Sequence, residues 1–156
     1  HSSVDGRHTL VEEIAMLDNY LALEQMRFGG KFTYAITLDS IPDADDISLP
    51  PMLIQPFVEN AVLHGIRDKS DAGEILITFT RNGKILEATI IDNGPGIDQD
   101  GHGVERDHKS VGMTLTGRRL DLLSHIAPEH NYSLENILAT DGRILGSKAW
   151  VRIPIE

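Results

Sequence analysis

The sequence has 156 residues, which predicts a single domain. With 24 acidic and 14 basic residues its net charge is −10, which argues against a general nucleic-acid-binding protein, because such proteins need a basic surface. The absence of cysteine excludes a disulfide scaffold, an iron–sulfur cluster and a cysteine-ligated zinc site. A hydrophobic content of 40% is typical of a soluble globular domain.

The first half of the chain predicts a helix, a strand and a second helix. Thr9 and Glu12 match the T-x-x-E capping box, and apolar residues at helical spacing then predict a helix over residues 9–28. Residues 31–39 alternate between apolar and polar types, as a strand does. A second helix is predicted over about 51–65, with an irregular or delayed first turn because Pro56 lies inside it.

The second half begins with a predicted hairpin. Residues 74–81 and 84–91 are strand-like segments on either side of Asn82-Gly83, a dipeptide that strongly favours a hairpin turn. Residues 97–110 form a polar loop that is longer than most connections in compact domains, and such loops are usually functional or mobile.

The remaining elements complete the predicted fold. We expect a third helix over about 111–126 and two strands over 132–139 and 147–155. Three helices and about five strands, some of them consecutive, predict an α/β fold. Its form would be a two-layer α/β sandwich, in which a mixed, mostly antiparallel sheet carries helices on one face.

The segment QPFVENAVLHG, residues 55–65, carries polar side chains within the predicted second helix. Asn60, His64 and Arg67 lie at i, i+4 and i+7, so an α-helix would align them in one polar stripe. A carboxamide oxygen suits Mg²⁺, which keeps several waters and bridges substrate phosphates, and Glu59 is placed to orient water or a metal-bound ligand. The alternative is a solvated polar face on which Asn60 satisfies a local backbone group.

The segment Asp92-Asn93-Gly94-Pro95-Gly96 follows the second strand of the hairpin. Asp92 ends an apolar run, so we expect it to be partly buried, and a buried carboxylate needs a partner. That partner is either the exocyclic amine of an adenine or a nearby backbone N–H. Gly94 and Gly96 permit a close approach of the backbone to a ligand, although the same pattern also forms ordinary turns.

Lys109 and Ser110 lie at the predicted start of the third helix. Helix N-termini attract phosphate, and a lysine adds positive charge. The alternative is an ordinary serine N-cap beside an exposed lysine. The sequence lacks G-x-x-x-x-G-K-[ST], so a P-loop site is excluded.

Together, and in this order, these segments resemble the ATP-binding domain of the Bergerat-fold (GHKL) ATPases, and most closely that of the LytS-type sensor histidine kinases. LPPMLIQPFVENAVLHGI resembles the N box, DNGPGI the G1 box, HKSVGM the G2 region and GSKAWVRIPI the closing strand. TLVEEIAMLDNYLALEQMRFG resembles the stretch just before the ATPase domain. The resemblance covers nearly the whole chain and implies the Bergerat fold for it.

The resemblance also implies roles for individual residues. Asn60 would hold Mg²⁺, and Asp92 would accept a hydrogen bond from the adenine amino group. The residues implied to contact ATP are Asn60, His64, Asp92, Gly94, Gly96, Lys109, Ser110 and Gly112. The residues implied to lie at the catalytic centre are Glu59, Asn60 and His64.

The implied function is that of a protein-histidine kinase domain, which transfers the γ-phosphoryl group of ATP to a histidine. In the family that histidine precedes a phenylalanine, and none of the seven histidines here does. We therefore expect an upstream module to carry it, with residues 1–30 as the end of that phosphoacceptor or linker region and 31–156 as the ATP-binding domain. The expected partners are ATP, the phosphoacceptor module of the same or a partner protomer, and a response regulator, but no nucleic acid. The resemblance further implies a homodimeric full-length protein and a cytoplasmic position in a membrane-anchored sensor.

Three positions depart from the family pattern. Leu63 stands where a basic residue is common, Ser110 replaces the first glycine of G-x-G, and Gly146-Ser147 replaces the closing G-T. These changes leave adenine recognition intact and put the strength of the phosphate contacts in doubt. The alternatives are a different Bergerat-fold ATPase such as a gyrase-like or chaperone-like hydrolase, an anti-sigma-factor serine kinase, or a degenerate module used for docking.

Overall fold

A five-stranded sheet with helices packed on one face forms the framework of the chain. The computed structural model describes residues 8–50, 53–66, 72–96 and 131–155. The strands are β1 (His8–Thr9), β2 (Phe32–Asp39), β3 (Ser48–Leu49), β4 (Gly73–Asn82), β5 (Ile85–Asp92), β6 (Asn131–Leu138) and β7 (Ile144–Pro154). The helices are α1 (Leu10–Arg27), a 3₁₀ turn (Ala44–Asp46), α2 (Gln55–Asn60) and a π-helical segment (Ala61–Ile66).

The main sheet has the strand order β2-β4-β5-β7-β6. Strand β2 pairs with β4 in parallel, and the other three pairings are antiparallel, so the predicted mixed, mostly antiparallel sheet is confirmed. The parallel pair requires a crossover, and the chain makes it through β3, α2 and the π-helical segment. The sequence did not predict the small second sheet, in which β1 pairs with β3.

Helix α1 begins at the capping box that the sequence predicts. The Thr9 hydroxyl accepts a hydrogen bond from the Glu12 backbone N–H at 3.1 Å, and the Glu12 carboxylate accepts one from the Thr9 N–H at 2.8 Å. Two of the four otherwise unpaired donors at the helix start are thereby satisfied. The helix packs Leu10, Leu17 and Leu21, all fully buried, against the core.

The hairpin of β4 and β5 is also confirmed. Asn82 pairs with Ile85, and Gly83 at the turn has a φ of 63°, which glycine adopts without strain. Alternate residues of the central strands then line one face of the sheet and form the core with the helices. These core residues are Ile75, Ile77 and Phe79 of β4, Leu86, Ala88 and Ile90 of β5, and Ala149, Val151 and Ile153 of β7.

The second helix differs from its prediction as a single α-helix over about 51–65. Helix α2 starts late, at Gln55, as Pro56 in its first turn leads one to expect, and α-helical geometry ends at Asn60. The next six residues are π-helical. Ala61 and Ile66 are both buried. The i→i+5 hydrogen bonding of a π-helix brings residues five apart towards the same face, whereas an α-helix would place them on different faces.

The predicted polar stripe is described only as far as Asn60, because the side chain of His64 lies outside the described residues. His64 lies in the π-helical segment, and Arg67 lies outside the described residues. The predicted loop 97–110 and third helix 111–126 also lie outside them. Within the described part of the chain, no helix has the length and apolar character needed to cross a membrane.

Candidate functional site

A small open cleft lies where α2 meets the end of the sheet. It contains both residues on which the sequence argument depends, Asn60 and Asp92. Its lining comes from α2 and the π-helical segment (Phe57, Asn60, Ala61), β5 (Ile90, Asp92), β6 (Leu134) and β7 (Ser147, Ala149). The cleft thus combines an apolar floor with a few polar groups, as small-molecule sites usually do.

Asp92 is the buried acid of the cleft, with 4% of its surface exposed. It lies two residues after Ile90 on β5 and so projects from the same, core-facing side of the sheet. Its Oδ1 accepts a hydrogen bond from the Gly94 N–H at 2.9 Å, and its Oδ2 accepts one from the Ser147 hydroxyl at 2.6 Å. These bonds compensate the burial of the carboxylate and fix its orientation.

Gly146 allows β7 to reach Asp92. A Cβ at this position would lie 1.9 Å from the Asp92 backbone oxygen and 2.9 Å from the Asn93 Cα. Only a residue without a side chain permits this approach, and the approach pairs Ser147 with Asp92 in the β5–β7 register. The Gly146-Ser147 pair thus places a hydroxyl donor against the Asp92 carboxylate.

The loop after Asp92 is held by its own side chains. The Asn93 side chain accepts a hydrogen bond from the Glu74 N–H at 2.8 Å and donates one to the Ala72 carbonyl at 3.3 Å, which ties the loop to the start of β4. Gly96 has a φ of 88°, and a Cβ there would lie 2.6 Å from the Asn136 side-chain oxygen. Position 96 therefore favours glycine because of its positive φ and its contact with Asn136, while the approach of Gly96 to a ligand stays a prediction.

Asn60 lies in the last turn of α2, half-buried, beside the cleft. Among the described residues no group forms a hydrogen bond with its carboxamide, so no local backbone partner takes up its oxygen there. The Mg²⁺ ligand set expected of such a site is small, because Mg²⁺ usually keeps its waters and binds substrate phosphates. The Asn60 carboxamide, which lines the cleft, fits the role of a single protein ligand to such an ion.

Glu59 faces a different environment from Asn60. Its carboxylate accepts a hydrogen bond from the Gln55 amide at 3.0 Å and does not line the cleft. Burial, followed by the negative charges of Glu24 and Glu59, raises the pKa of the Tyr20 hydroxyl on α1. Glu59 therefore lies near α1.

The remaining predicted site residues divide into two groups. Gly94 is buried two residues after Asp92, and Gly96 is buried two residues further along the chain. The side chain of His64, and the whole of Lys109, Ser110 and Gly112, lie outside what the structure describes.

Sequence reasoning missed the contact of Ser147 with Asp92 and the apolar floor of the cleft. It treated Gly146-Ser147 only as a departure that weakens phosphate contacts. A signal was present in the alternation of the strands, because Ile90 precedes Asp92 by two residues and Ala149 follows Ser147 by two. Leu134 carried no such signal, since the pairing of β6 with β7 has to be known first.

Comparison with known proteins gives a family match over residues 46–156, to the model described as histidine kinase-, DNA gyrase B-, and HSP90-like ATPase. The sensor protein LytS of Streptococcus mutans is 30% identical over 161 residues, which cover 97% of this chain. The chain spans 26% of the length of that relative.

Solved structures of histidine kinases share the fold. A mycobacterial sensor histidine kinase, MprB, superposes with a TM-score of 0.65 at 13% identity, covering 96% of this chain and 97% of that one. The histidine kinase ThkA, in complex with the response regulator protein TrrA, gives a TM-score of 0.58 at 14% identity, with coverage of 96% and 41%. The predicted fold class is thereby confirmed.

The close approach at Gly146 leads to a stability prediction. We expect Gly146→Ala to destabilise the protein by about 3 kcal/mol or more, because the added Cβ would overlap backbone atoms of Asp92 and Asn93 that cannot move without opening the strand pair. Urea denaturation followed by circular dichroism measures the change. Gly83→Ala is the control: it meets a positive φ but no neighbouring atom, so its cost should stay near 1 kcal/mol. Equal costs would contradict the assigned role of Gly146.

Proposed function

The chain belongs to the histidine kinase-, DNA gyrase B-, and HSP90-like ATPase family, and we propose that it is the ATP-binding catalytic domain of a sensor histidine kinase. The observation that carries this proposal is the presence of the buried Asp92 and the Asn60 carboxamide in one cleft. Packed aliphatic side chains between them would have removed its basis. The 30% identity to a sensor protein over nearly the whole chain favours this branch of the family.

Adenine recognition is assigned to Asp92. The exocyclic amine of adenine is a hydrogen-bond donor, and a carboxylate is an acceptor that is strongest when it is buried and held in place. The bonds from Ser147 and Gly94 provide that fixed orientation. Phe57, Ile90 and Leu134 supply apolar surface against which a purine ring can pack.

Asn60 is assigned to the metal that accompanies ATP. Mg²⁺, when bound, would neutralise phosphate charge and favour departure of ADP. A negatively charged protein also benefits from a cation when it binds a polyanion. We assign His64, Lys109, Ser110 and Gly112 to the phosphate contacts, and His64 also to the catalytic centre, on the strength of the family motifs. Glu59 keeps its proposed catalytic role on the motif alone, since its carboxylate is hydrogen-bonded to Gln55 outside the cleft.

The proposed reaction is phosphoryl transfer to a histidine of the upstream module. The bond between the γ-phosphorus and the β–γ bridging oxygen breaks, a phosphorus–nitrogen bond to the imidazole forms, and ADP leaves. Such a reaction asks the protein mainly for positioning and charge stabilisation. We assign residues 31–156 to the ATP-binding domain and 1–30 to the end of the phosphoacceptor or linker region. Because α1 shares the core with the sheet, movement of that region would be transmitted to the domain.

The proposal includes partners beyond this chain. These are a phosphoacceptor module on the same or a partner protomer, a downstream response regulator and a homodimeric full-length protein in which this domain is cytoplasmic and the sensor membrane-anchored. Two findings support them: the similar kinase ThkA is found with a response regulator, and the relative LytS is named a sensor protein.

The role of Asp92 is tested by Asp92→Asn. We expect loss of detectable ATP binding, at least about 100-fold, because the amide turns a donor towards the adenine amine and leaves a buried group unpaired. Isothermal calorimetry measures the affinity, and circular dichroism confirms folding. Asp39→Asn is the matched control, since it makes the same charge change at the exposed, opposite end of the sheet. Unchanged affinity of the Asp92→Asn variant refutes the adenine assignment.

The role of Asn60 is tested by comparing nucleotide binding with and without Mg²⁺. In the unaltered chain we expect Mg²⁺ to strengthen ATP binding. Asn60→Ala should weaken Mg·ATP binding by at least about tenfold while binding in EDTA stays the same. Asn82→Ala, at the exposed end of β4, should change neither value. An equal loss in both conditions would show that Asn60 acts on the nucleotide or the fold instead of the metal.

The position of the phosphoacceptor predicts that these 156 residues do not phosphorylate themselves. After incubation with γ-labelled ATP, acid-labile and base-stable label should be absent from this chain and present on a chain that includes the upstream module. Stable phosphohistidine on this chain would overturn the assignment. Steady ATP hydrolysis without any acceptor would favour a hydrolase of the same family.

A further inference from the structure

Strand β2 lies at one edge of the main sheet, because it pairs with β4 on one side and no described strand pairs with its other side. Its segment FTYAITL, residues 32–38, carries no charge, no proline and no glycine. Natural sheets usually protect an edge strand with a charge, a proline or a bulge, because unpaired backbone groups can bind another strand. The opposite edge has such protection, since β6 carries the exposed Glu135 and an irregular register between Ile137 and Leu138.

The backbone of β2 is open along this edge. The N–H and C=O groups of one strand residue point to the same side, and successive residues alternate between sides. The Lys31 carbonyl accepts a hydrogen bond from the Gly73 N–H of β4 at 3.0 Å. The Phe32 carbonyl points the other way and accepts one from the Gln25 side chain of α1 at 2.8 Å. The even-numbered residues therefore turn away from β4, and within the described ranges three of them keep unpaired N–H and C=O groups: Tyr34, Ile36 and Leu38.

Opposite charges flank β2 on the face of the sheet that points away from the core. Lys31 directly precedes the strand and Asp39 ends it, and both are exposed. Neither forms an ion pair with any described residue. An antiparallel second copy of β2, centred on Ala35, places each lysine opposite the aspartate of the other copy. A parallel, in-register copy would place like charges opposite each other, which destabilises a strand pair.

The antiparallel register also matches the residues between the charged ends. Thr33 lies opposite Thr37 on the outer face of the sheet, where paired threonines stabilise neighbouring strands. Tyr34 lies opposite Ile36, and their outward N–H and C=O groups can exchange two hydrogen bonds. Moving the second copy along by two residues would keep the backbone groups facing each other but would separate the charges at both ends. The end charges therefore specify one register.

We propose that the open edge of β2 is a self-association surface, at which the antiparallel β2 strands of two copies join their sheets. Backbone hydrogen bonds hold the strands together, and Lys31 and Asp39 select the direction and the register. A pair of strands this short buries less surface than a standard stable interface, so association is weak and depends on protein concentration. Strand β2 lies outside residues 1–30 and contributes no residue to the described cleft lining, so this inference does not depend on the proposed function.

Sedimentation velocity over a concentration series measures the association. We expect a reversible monomer–dimer equilibrium whose dissociation constant rises at least about tenfold in Ala35→Lys, because two lysines then meet at the two-fold axis. Circular dichroism checks that this variant folds, as the exposure of Ala35 leads one to expect. Thr140→Lys is the matched control, since it adds the same charge at an exposed turn beside the opposite edge strand. A monomer at every concentration, or an equal effect of the two variants, would overturn the proposal.

Single cysteines test the direction and register of pairing, and the chain contains no cysteine of its own. Ala35→Cys alone should form a disulfide-linked dimer under mild oxidation, because its two Cα atoms would lie about 4.5 Å apart across the axis. Thr33→Cys alone should not, since antiparallel pairing leaves like residues about 14 Å apart along the strands, but it should cross-link to Thr37→Cys in a mixture. Cross-linking of Thr33→Cys alone would overturn antiparallel pairing, and failure of Ala35→Cys would overturn the pairing of β2 with itself.

Discussion

The site depends on one buried carboxylate, that of Asp92, at the end of a central strand. Burial makes the carboxylate costly unless it is hydrogen-bonded, and the Gly94 N–H and Ser147 hydroxyl meet that requirement from two sides. The same bonds prevent the group from rotating. In the proposed role, a fixed acceptor beside an apolar floor would distinguish one base from another, which a solvated carboxylate on a mobile loop would not do.

The pairing of β5 with β7 and the position of α2 both contribute to that arrangement. The β5–β7 register pairs Ser147 with Asp92, and Gly146 allows the two backbones to approach closely enough for the hydroxyl to reach. From the opposite layer, α2 brings Asn60 to the same cleft. The change to π-helical geometry after Asn60 buries Ala61 and Ile66 while Asn60 remains at the cleft. In the proposed function, base recognition by Asp92 and metal binding by Asn60 therefore fall to separate layers of the sandwich.

Local signals in the sequence predicted the elements that depend on local chemistry. The capping box of Thr9 and Glu12 and the turn at Asn82-Gly83 both act within a few residues, and both are confirmed. The π-helical segment was not predictable in this way, because packing of Ala61 and Ile66 against the sheet decides it. The bond between Ser147 and Asp92 joins residues 55 apart in sequence, so only the strand order reveals it.

The central claim is that this buried acceptor recognises an amine on the base, and the nucleotide itself offers the most direct measurement. Calorimetry should compare ATP with inosine triphosphate, in which a carbonyl oxygen replaces the exocyclic amine and the sugar and phosphates are unchanged. The account predicts that inosine triphosphate binds at least about tenfold more weakly, because two acceptors then face each other in a buried site. Equal affinity for the two nucleotides would contradict it.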